Sequence, residues 1–266
     1  MYDYHLHTGF SYDAGAEASI DLMVRRAIEL GLDGIAVTDH YDPEFADLNW
    51  SADLDFPNYH ATLDRVVAQY GEAIDIARGI ELGMQPGEPN ALCAAAASDY
   101  PYDFIIGSVH CACGAAIDTR AYHAGRNCKQ AVHDYYDDLL RCITEFGDFD
   151  VLGHINVIER YIDGTPHDDD FMDIAEVILK KLIDEGKGIE INTSSFRYGM
   201  GERTTPTPTI LRRYVELGGE IVTTGSDAHR ARDVGAMIDF AEQMIRDAGL
   251  RYIATFKARK PVMIRL

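Results

Sequence analysis

Two histidines, His5 and His7, flank a single leucine near the start of the chain, and Asp13 follows six residues later. On a β-strand alternate side chains share a face, so both imidazoles would lie on one side, about 7 Å apart. Two imidazoles at that separation are able to share a metal ion with further ligands. A single His-x-His pair often arises by chance. The metal hypothesis therefore depends on ligands elsewhere in the chain.

Short β-rich apolar runs alternate with amphipathic stretches along the whole sequence. Strands are predicted at residues 2–7, 34–40, 73–82, 103–110, 149–155, 188–194 and 220–229, with a further apolar run at 261–266. Helices are predicted between them, because apolar residues recur at about 3.6-residue spacing and glycine follows the last turn. The clearest helical stretches are 19–30, 171–186 and 208–219, with a shorter alanine-rich one at 88–98. This alternation predicts parallel strands joined by right-handed crossovers.

Polar residues able to bind metals collect at the carboxyl ends of the predicted strands. They are His5, His7, Asp39, His40, Glu81, His110, His154, Asn192, Asp227 and His229. A barrel builds its active site on this face from several strands at once, whereas an open doubly wound sheet concentrates its site at one switch point. The distribution favours a closed α/β barrel in which residues 1–266 form one domain. The other four histidines, His60, His123, His133 and His167, fall in helices or polar loops and are predicted to be solvated.

Composition excludes several classes of partner. The formal net charge is −20 and no run rich in Lys or Arg occurs, which argues against nucleic-acid binding. No apolar run approaches the roughly 20 residues of a membrane span, and the start of the chain lacks the basic and apolar regions of an export signal. We therefore expect a cytoplasmic protein without a membrane partner. Its five cysteines include no CxxC pair; Cys111 and Cys113 are disfavoured as ligands, and reduced, buried thiols are expected.

The candidate ligands are too numerous for one ion. Six strand-end histidines with Asp13, Glu81 and Asp227 make nine groups, whereas a tetrahedral ion takes four. Two or three divalent ions that share a bridging carboxylate would use them all. The donors are nitrogen and oxygen without thiolate, which indicates Zn, Mn, Fe or Co without choosing among them.

Six short motifs carry a family resemblance. They are HLHT at 5–8, TDH at 38–40, Glu81 after an apolar strand, GSVH at 107–110, GHI at 153–155 and SDAH at 226–229. Together, and in this order over essentially the whole chain, they resemble the PHP (polymerase and histidinol phosphatase) superfamily. The resemblance implies a distorted (β/α)7 TIM-like barrel with a trinuclear metal centre at the C-terminal face of its strands.

The resemblance also implies a ligand set for each ion. The first ion would be bound by His5, His7, Glu81 and Asp227, the second by Glu81, His110 and His154, and the third by Asp13, His40 and His229. Glu81 would bridge the first two ions, and Glu81, Asp227 and His229 are the implied catalytic residues. Some relatives carry histidine in place of Asp13.

The metal centre implies phosphate chemistry. Three carboxylates and three divalent ions sum to a local charge of about +3, which attracts a phosphate dianion despite the acidic exterior. Bound ions lower the pKa of water towards ~7, so that a bridging hydroxide would attack phosphorus without a protein nucleophile. Arg160 and Arg197 are predicted to bind the substrate phosphate, because a guanidinium fork matches phosphate oxygens. Asp42 and Glu44 are candidates to meet a cationic amine.

The leading expectation is a metal-dependent phosphomonoesterase that hydrolyses L-histidinol phosphate in histidine biosynthesis. The alternative within the same chemistry is a PHP-type phosphoesterase that acts on another small phosphorylated metabolite or a nucleotide. A polymerase-associated barrel would belong to a longer chain with basic surfaces. A non-catalytic metal-binding module would be expected to have lost some of the nine ligands. The oligomeric state is not predicted.

Overall fold

Seven parallel strands form the centre of the molecule in a computed structural model that describes residues 1–44, 54–200 and 203–266. In spatial order they are β1 (Tyr2–Leu6), β2 (Gly34–Val37), β4 (Asp75–Gly83), β5 (Phe104–Ser108), β8 (Val151–Leu152), β9 (Gly188–Asn192) and β10 (Val222–Gly225). The two-residue strand β3 (His40–Tyr41) extends the sheet by pairing with β4. The seven strands predicted from the sequence are thereby confirmed.

The first and last of these strands meet and nearly close the barrel. Leu6 forms a bridge with Ala228, and the amide of His7 donates to the Ala228 carbonyl at 2.9 Å. The amide of Asp227 donates to the His5 carbonyl at 2.8 Å. The structure is therefore the TIM-like α/β barrel that the alternating pattern predicted, with seven strands.

Helices cover the outside of the barrel. They are α1 (Ile20–Glu29), α2 (Phe56–Tyr70), α3 (Glu88–Ser98), α4 (Arg120–His123), α5 (Cys128–Glu145), α6 (Met172–Asp184), α7 (Pro208–Glu216) and α8 (Ile238–Asp247). Gly31, Gly186 and Gly218 follow α1, α6 and α7 at φ between +69° and +95°, a conformation that glycine adopts without a Cβ penalty. Within the described parts of the chain, no helix is long and apolar enough to cross a bilayer.

Side chains inside the barrel form a small core that is separate from the layer beneath the helices. Its members are Tyr4, Ala36, Ala77, Phe104, Ile106 and Val151 from the strands, with Ala254 and Phe256. The last two come from β11 (Tyr252–Lys257), so this strand closes one end of the barrel. The polar residues of the site occupy the other end, where the strands finish.

The run at 261–266 does not extend the barrel. It forms β12 (Lys260–Arg265), which pairs antiparallel with β11. The turn between them consists of Ala258 and Arg259 at φ +47° and +62°, the conformation of a tight hairpin turn. A second small hairpin, β6 (Cys111–Ala112) with β7 (Ala115–Ala116), follows β5.

Candidate metal centre

All nine predicted ligands converge at the carboxyl ends of the strands. The group comprises His5, His7, Asp13, His40, Glu81, His110, His154, Asp227 and His229. The strands and the loops directly after them supply these side chains, so the barrel itself sets their spacing.

A bulge in β1 brings the His5–His7 pair into the site. The pairing of β1 with β2 shifts register between Asp3 and Leu6, which reorients the side chains around His5. Both imidazoles are fully buried. Nδ1 of His7 lies 3.0 Å from the Ser11 hydroxyl, which in turn donates to Asp39 at 2.6 Å. Because the Ser11 oxygen then accepts from Nδ1–H, Nε2 of His7 faces the site with a free lone pair.

Glu81 occupies the centre of the cluster. Its Oε1 accepts a hydrogen bond from Ser108 at 2.6 Å and lies 3.0 Å from Nε2 of His154. Its Oε2 lies 2.9 Å from Nδ1 of His40 and 3.3 Å from Nε2 of His5. The two oxygens of this fully buried carboxylate therefore face different imidazole groups, which is the arrangement that a bridging ligand requires.

Asp227 lies beside His5 and His7, the histidines predicted to share the first ion with it. Its Oδ1 lies 3.3 Å from Nε2 of His7 and 4.0 Å from Nε2 of His5. Its Oδ2 accepts a hydrogen bond from the Asn192 amide at 3.3 Å. The backbone of Asp227 is left-handed, with φ +56°, and this conformation directs its carboxylate away from the continuing strand.

His110 and His154 face each other across Glu81. Their Nε2 atoms lie 3.4 Å apart, and Nε2 of His110 lies 3.5 Å from Oε1 of Glu81. Nδ1 of His110 lies 2.7 Å from Asp42, which is almost fully buried. A Cβ at Gly83 would lie only 1.8 Å from Asp42 Oδ1, so glycine is needed here to admit the carboxylate. Asp42 therefore orients His110, and the contact of Asp42 or Glu44 with a substrate amine stays a prediction.

Asp13, His40 and His229 form the outermost group. Oδ2 of Asp13 lies 3.0 Å from Nε2 of His229 and 3.8 Å from Nε2 of His40. Nδ1 of His229 donates to the Asp227 carbonyl at 3.0 Å, which leaves Nε2 free. Since Asp13 is about 43% exposed, an ion at this position would be the most accessible to solvent.

The buried charges of the cluster are mutually balanced. Burial opposes ionisation of Glu81 and Asp227, yet the imidazole of His5 and its neighbours hold the pKa of both carboxyls well below the usual range. Burial together with the neighbouring imidazoles lowers the pKa of His7, which keeps that ring in the neutral form that binds metals. Burial by itself would lower the pKa of His5, but the carboxylates of Glu190 and Glu81 outweigh it and hold this pKa well above its ordinary value. A cation that binds His5 would displace the proton from the ring.

The donor set fits divalent ions. Six buried polar atoms of the cluster make no hydrogen bond of good geometry, although some lie close to another polar atom: Nε2 of His5, His7 and His229, Nδ1 of His40 and His154, and Oε2 of Glu81. Native proteins leave few buried polar atoms unpaired. Four sets of three ligand atoms within 4.8 Å of one another occur among the described residues: His5–His7–Glu81, Glu81–His110–His154, His7–His40–His229 and His40–Asp42–His110. The first set contains three of the four ligands predicted for the first ion, the second contains all three predicted for the second ion, and the third contains both predicted histidines of the third ion.

Arg160 and Arg197 lie beside the cluster. Nη2 of Arg197 donates to the carbonyls of Ser226 and Asp227 at 2.6 and 2.8 Å, and its buried Nη1 has no partner. Nη2 of Arg160 donates to Ser194 at 2.5 Å, and its buried Nε also has no partner. Each guanidinium is thus anchored through one nitrogen and retains a buried donor, which suits an anion.

Three further acids support the site, and the sequence analysis assigned no supporting role to any of them. Asp3 accepts hydrogen bonds from the amides of Ser226 and Gly235 at 2.7 and 2.8 Å, next to Asp227. Asp39, placed at a strand end in the sequence analysis without a role, binds Ser11; Glu190 binds His5. For Glu190 the available signal was an acid between two isoleucines of a buried strand, GIEIN.

The remaining histidines and the cysteines lie outside the site. His133 and His167 are exposed as predicted. His60 and His123 are half-buried, in contrast to the prediction, because they bond to the Tyr102 hydroxyl at 2.9 Å and the Ile117 carbonyl at 2.8 Å. The five cysteines all lie in the described parts of the chain and form no disulfide. Three are buried as expected; Cys128 is half-buried, and Cys113 is exposed because it occupies the turn of the β6–β7 hairpin at φ +53°.

Comparison with known proteins gives consistent matches. The PHP domain family model matches residues 3–194. The histidinol-phosphatase of Lactococcus lactis is 30% identical over 97% of this chain and 95% of its own length. A Thermotoga maritima protein named "Probable histidinol-phosphatase" is 28% identical over the full length of both. The crystal structure of histidinol phosphate phosphatase from Lactococcus lactis, complexed with Zn, L-histidinol and phosphate, has a TM-score of 0.88 at 28% identity and covers 98% of each chain.

Proposed function

The chain belongs to the PHP domain family, and on this premise we propose that it is a metal-dependent phosphomonoesterase that hydrolyses L-histidinol phosphate to L-histidinol and phosphate. The observation that carries the proposal is the convergence of nine predicted nitrogen and oxygen ligands, with Glu81 at their centre, beside two anchored arginines with unpaired buried donors. Neither group alone would specify phosphate ester hydrolysis, but together they supply metal ions and phosphate binding.

The substrate is inferred from similarity. The solved Lactococcus structure contains Zn together with L-histidinol and phosphate. L-histidinol and phosphate are the two products that hydrolysis of the proposed substrate would give. The chain of that structure is similar to this one over 98% of the length. We propose two or three divalent ions drawn from Zn, Mn, Fe and Co, with the ligand sets implied by the family motifs. A cytoplasmic location stays a prediction.

The protein's own groups would perform the steps of binding and orientation. Divalent ions at this site would activate water and neutralise charge on the phosphoryl group. Arg197 and Arg160 would hold the nonbridging phosphate oxygens, each through the donor that has no protein partner. Two backbone carbonyls anchor Arg197 and fix its position relative to Asp227. A phosphate bound by Arg197 would therefore have a fixed position relative to the predicted metal ligands.

Activity assays on metal-analysed protein test the proposal. We expect chelation to abolish phosphatase activity and addition of Zn, Mn, Co or Fe to restore it. We also expect kcat/KM for L-histidinol phosphate to exceed that for glycerol phosphate or p-nitrophenyl phosphate by at least about a hundredfold, since a site that pairs a substrate's polar groups rejects analogues without them. Activity that survives in verified metal-free protein would contradict the metal mechanism.

A panel of esters separates the two functional candidates. Comparable kcat/KM values for all phosphomonoesters would leave phosphatase chemistry intact and exclude histidinol phosphate as the specific substrate. Selective hydrolysis of another small phosphate or a nucleotide would favour the broader alternative. Protein with Glu81→Gln, prepared identically, serves as the control for a contaminating phosphatase.

A further inference from the structure

Glu190 is a buried acid on β9. Of the seven barrel strands described, β9 is the one that neither carries nor directly precedes any of the nine predicted ligands. Glu190 lies in the middle of β9 between Ile189 and Ile191, and only 1% of it is exposed. Burial of an ionised carboxylate is costly unless it is hydrogen-bonded. Its retention inside the barrel therefore requires a compensating role.

Every partner of this carboxylate is a donor. Oε1 lies 2.6 Å from Nδ1 of His5. Oε2 accepts hydrogen bonds from the backbone amide of His154 at 3.0 Å and from the Asn192 side-chain amide at 3.2 Å. Glu190 thus joins residues predicted to bind the first ion and the second ion, although it faces neither as a ligand.

The contact with His5 determines which nitrogen of that ring is free. When Nδ1–H donates to Glu190, the lone pair lies on Nε2. Nε2 of His5 is buried without a hydrogen-bond partner and lies 3.3 Å from Oε2 of Glu81. Carboxylates behind ligand histidines commonly fix the tautomer and the ring orientation in this manner.

The neighbouring sequence leaves space for the pair. A Cβ at Gly225 would lie 2.3 Å from Oε1 of Glu190 and 2.4 Å from Cβ of His5. Gly225 has ordinary backbone geometry, with no positive φ, so its small size is needed for the contact rather than for a turn. Strand β10 is therefore fitted around the Glu190–His5 pair.

We propose that Glu190 is a positioning residue of the metal centre, which holds His5 in its metal-binding tautomer. This inference rests on the proposed function, because it requires that His5 binds an ion. Its effect should appear in metal affinity, before any effect on catalysis.

Glu190→Gln is a sharp test because the side chain keeps its shape but not its acceptors. If the amide oxygen faces His5, the NH2 group opposes two donors, those of His154 and Asn192. If the oxygen faces those donors, the NH2 group opposes Nδ1 of His5 and forces the proton onto Nε2, the nitrogen needed for the metal. Glu190→Asp keeps an acceptor-only carboxylate and is expected to lie closer to wild type.

Zinc affinity is measured by titrating metal-free protein against a chromophoric chelator, with circular dichroism to establish folding. We expect Glu190→Gln to weaken one zinc site by 10- to 100-fold. Glu159→Gln is the matched control, since Glu159 is a buried glutamate bonded to Asn156 and Arg203 rather than to a ligand. Its zinc affinity should equal that of wild type.

A double-mutant cycle with His5→Gln separates positioning from general stabilisation. If Glu190 acts through His5, Glu190→Gln should cost little further zinc affinity once His5 is absent. Additive losses would overturn the inference, as would wild-type affinity in folded Glu190→Gln while wild-type protein binds zinc. Failure of the wild-type chain to bind any of Zn, Mn, Fe and Co would overturn the proposed function as well, so the two failures are distinguishable.

Discussion

Substitution of Arg197 by lysine tests whether this side chain both binds the backbone beside Asp227 and binds the substrate phosphate. Its Nη2 is occupied by the carbonyls of Ser226 and Asp227, while the buried Nη1 is free for phosphate. Lysine keeps the positive charge but offers a single ammonium, which cannot reach both carbonyls and an anion with the geometry of a planar fork.

The expected loss follows from one missing charge-assisted hydrogen bond. Such a bond is worth about 1.5–3 kcal/mol, and each 1.4 kcal/mol is about tenfold, so kcat/KM should fall roughly ten- to a hundredfold. Arg197→Ala should lose more, because both carbonyls beside Asp227 also lose their donor. Metal content should then fall too, since that backbone places the carboxylate of Asp227.

The assay combines steady-state kinetics on L-histidinol phosphate with elemental analysis of the same sample. Arg160→Ala is the matched variant: its anchor is the Ser194 hydroxyl, so it should lose kcat/KM by a similar factor and keep all of its metal. Inhibition by inorganic phosphate should weaken in parallel in both variants. Wild-type kcat/KM in Arg197→Lys, or full metal retention in Arg197→Ala, would refute this reasoning.

Three further substitutions test the metal centre. Glu81→Gln should remove at least two ions per chain, because its two oxygens face different imidazole groups; an unchanged metal count would show that Glu81 is not a bridge. Asp13→Ala should reduce occupancy of one ion only, as measured by elemental analysis, because Asp13 contacts the outer His40–His229 group; loss of all metal would contradict the assignment. Gly225→Ala should lower zinc affinity without removing a ligand, because the added Cβ meets the Glu190–His5 pair, and unchanged affinity in the titration would argue against that close fit.

The ligands were predictable because barrels place functional groups at strand ends. His5, Glu81 and His154 each follow or end an apolar run, so a pattern of local sequence was enough to locate them. Their supporting residues were less accessible to prediction. Glu190 contacts His5 across 185 residues of sequence, and only closure of the barrel brings the two together.

Two other features show the same limit. Asp42 follows the TDH motif and was considered only as a partner for a cationic amine, but the absence of a side chain at Gly83 leaves space for it to contact His110. The sequence analysis did not predict the C-terminal hairpin. Its turn residues, Ala258 and Arg259, adopt positive φ, although glycine or asparagine usually occupies such turns. Both outcomes depend on tertiary packing that overrides the local signal.

Closure of the barrel between β1 and β10 also has a consequence for the order of events during synthesis. The hydroxyl of Ser226 donates to Asp3 across 223 residues, and the predicted first ion would take ligands from both ends of that interval. At about 5–20 residues per second, a ribosome would take roughly 10–45 seconds to make the second half of this seam after the first. During that time the nascent chain carries its His5–His7 pair without Asp227, and two imidazoles alone would favour whichever transition metal binds them most tightly. With the predicted ligand set, the first ion would gain all of its ligands only once β10 has been made.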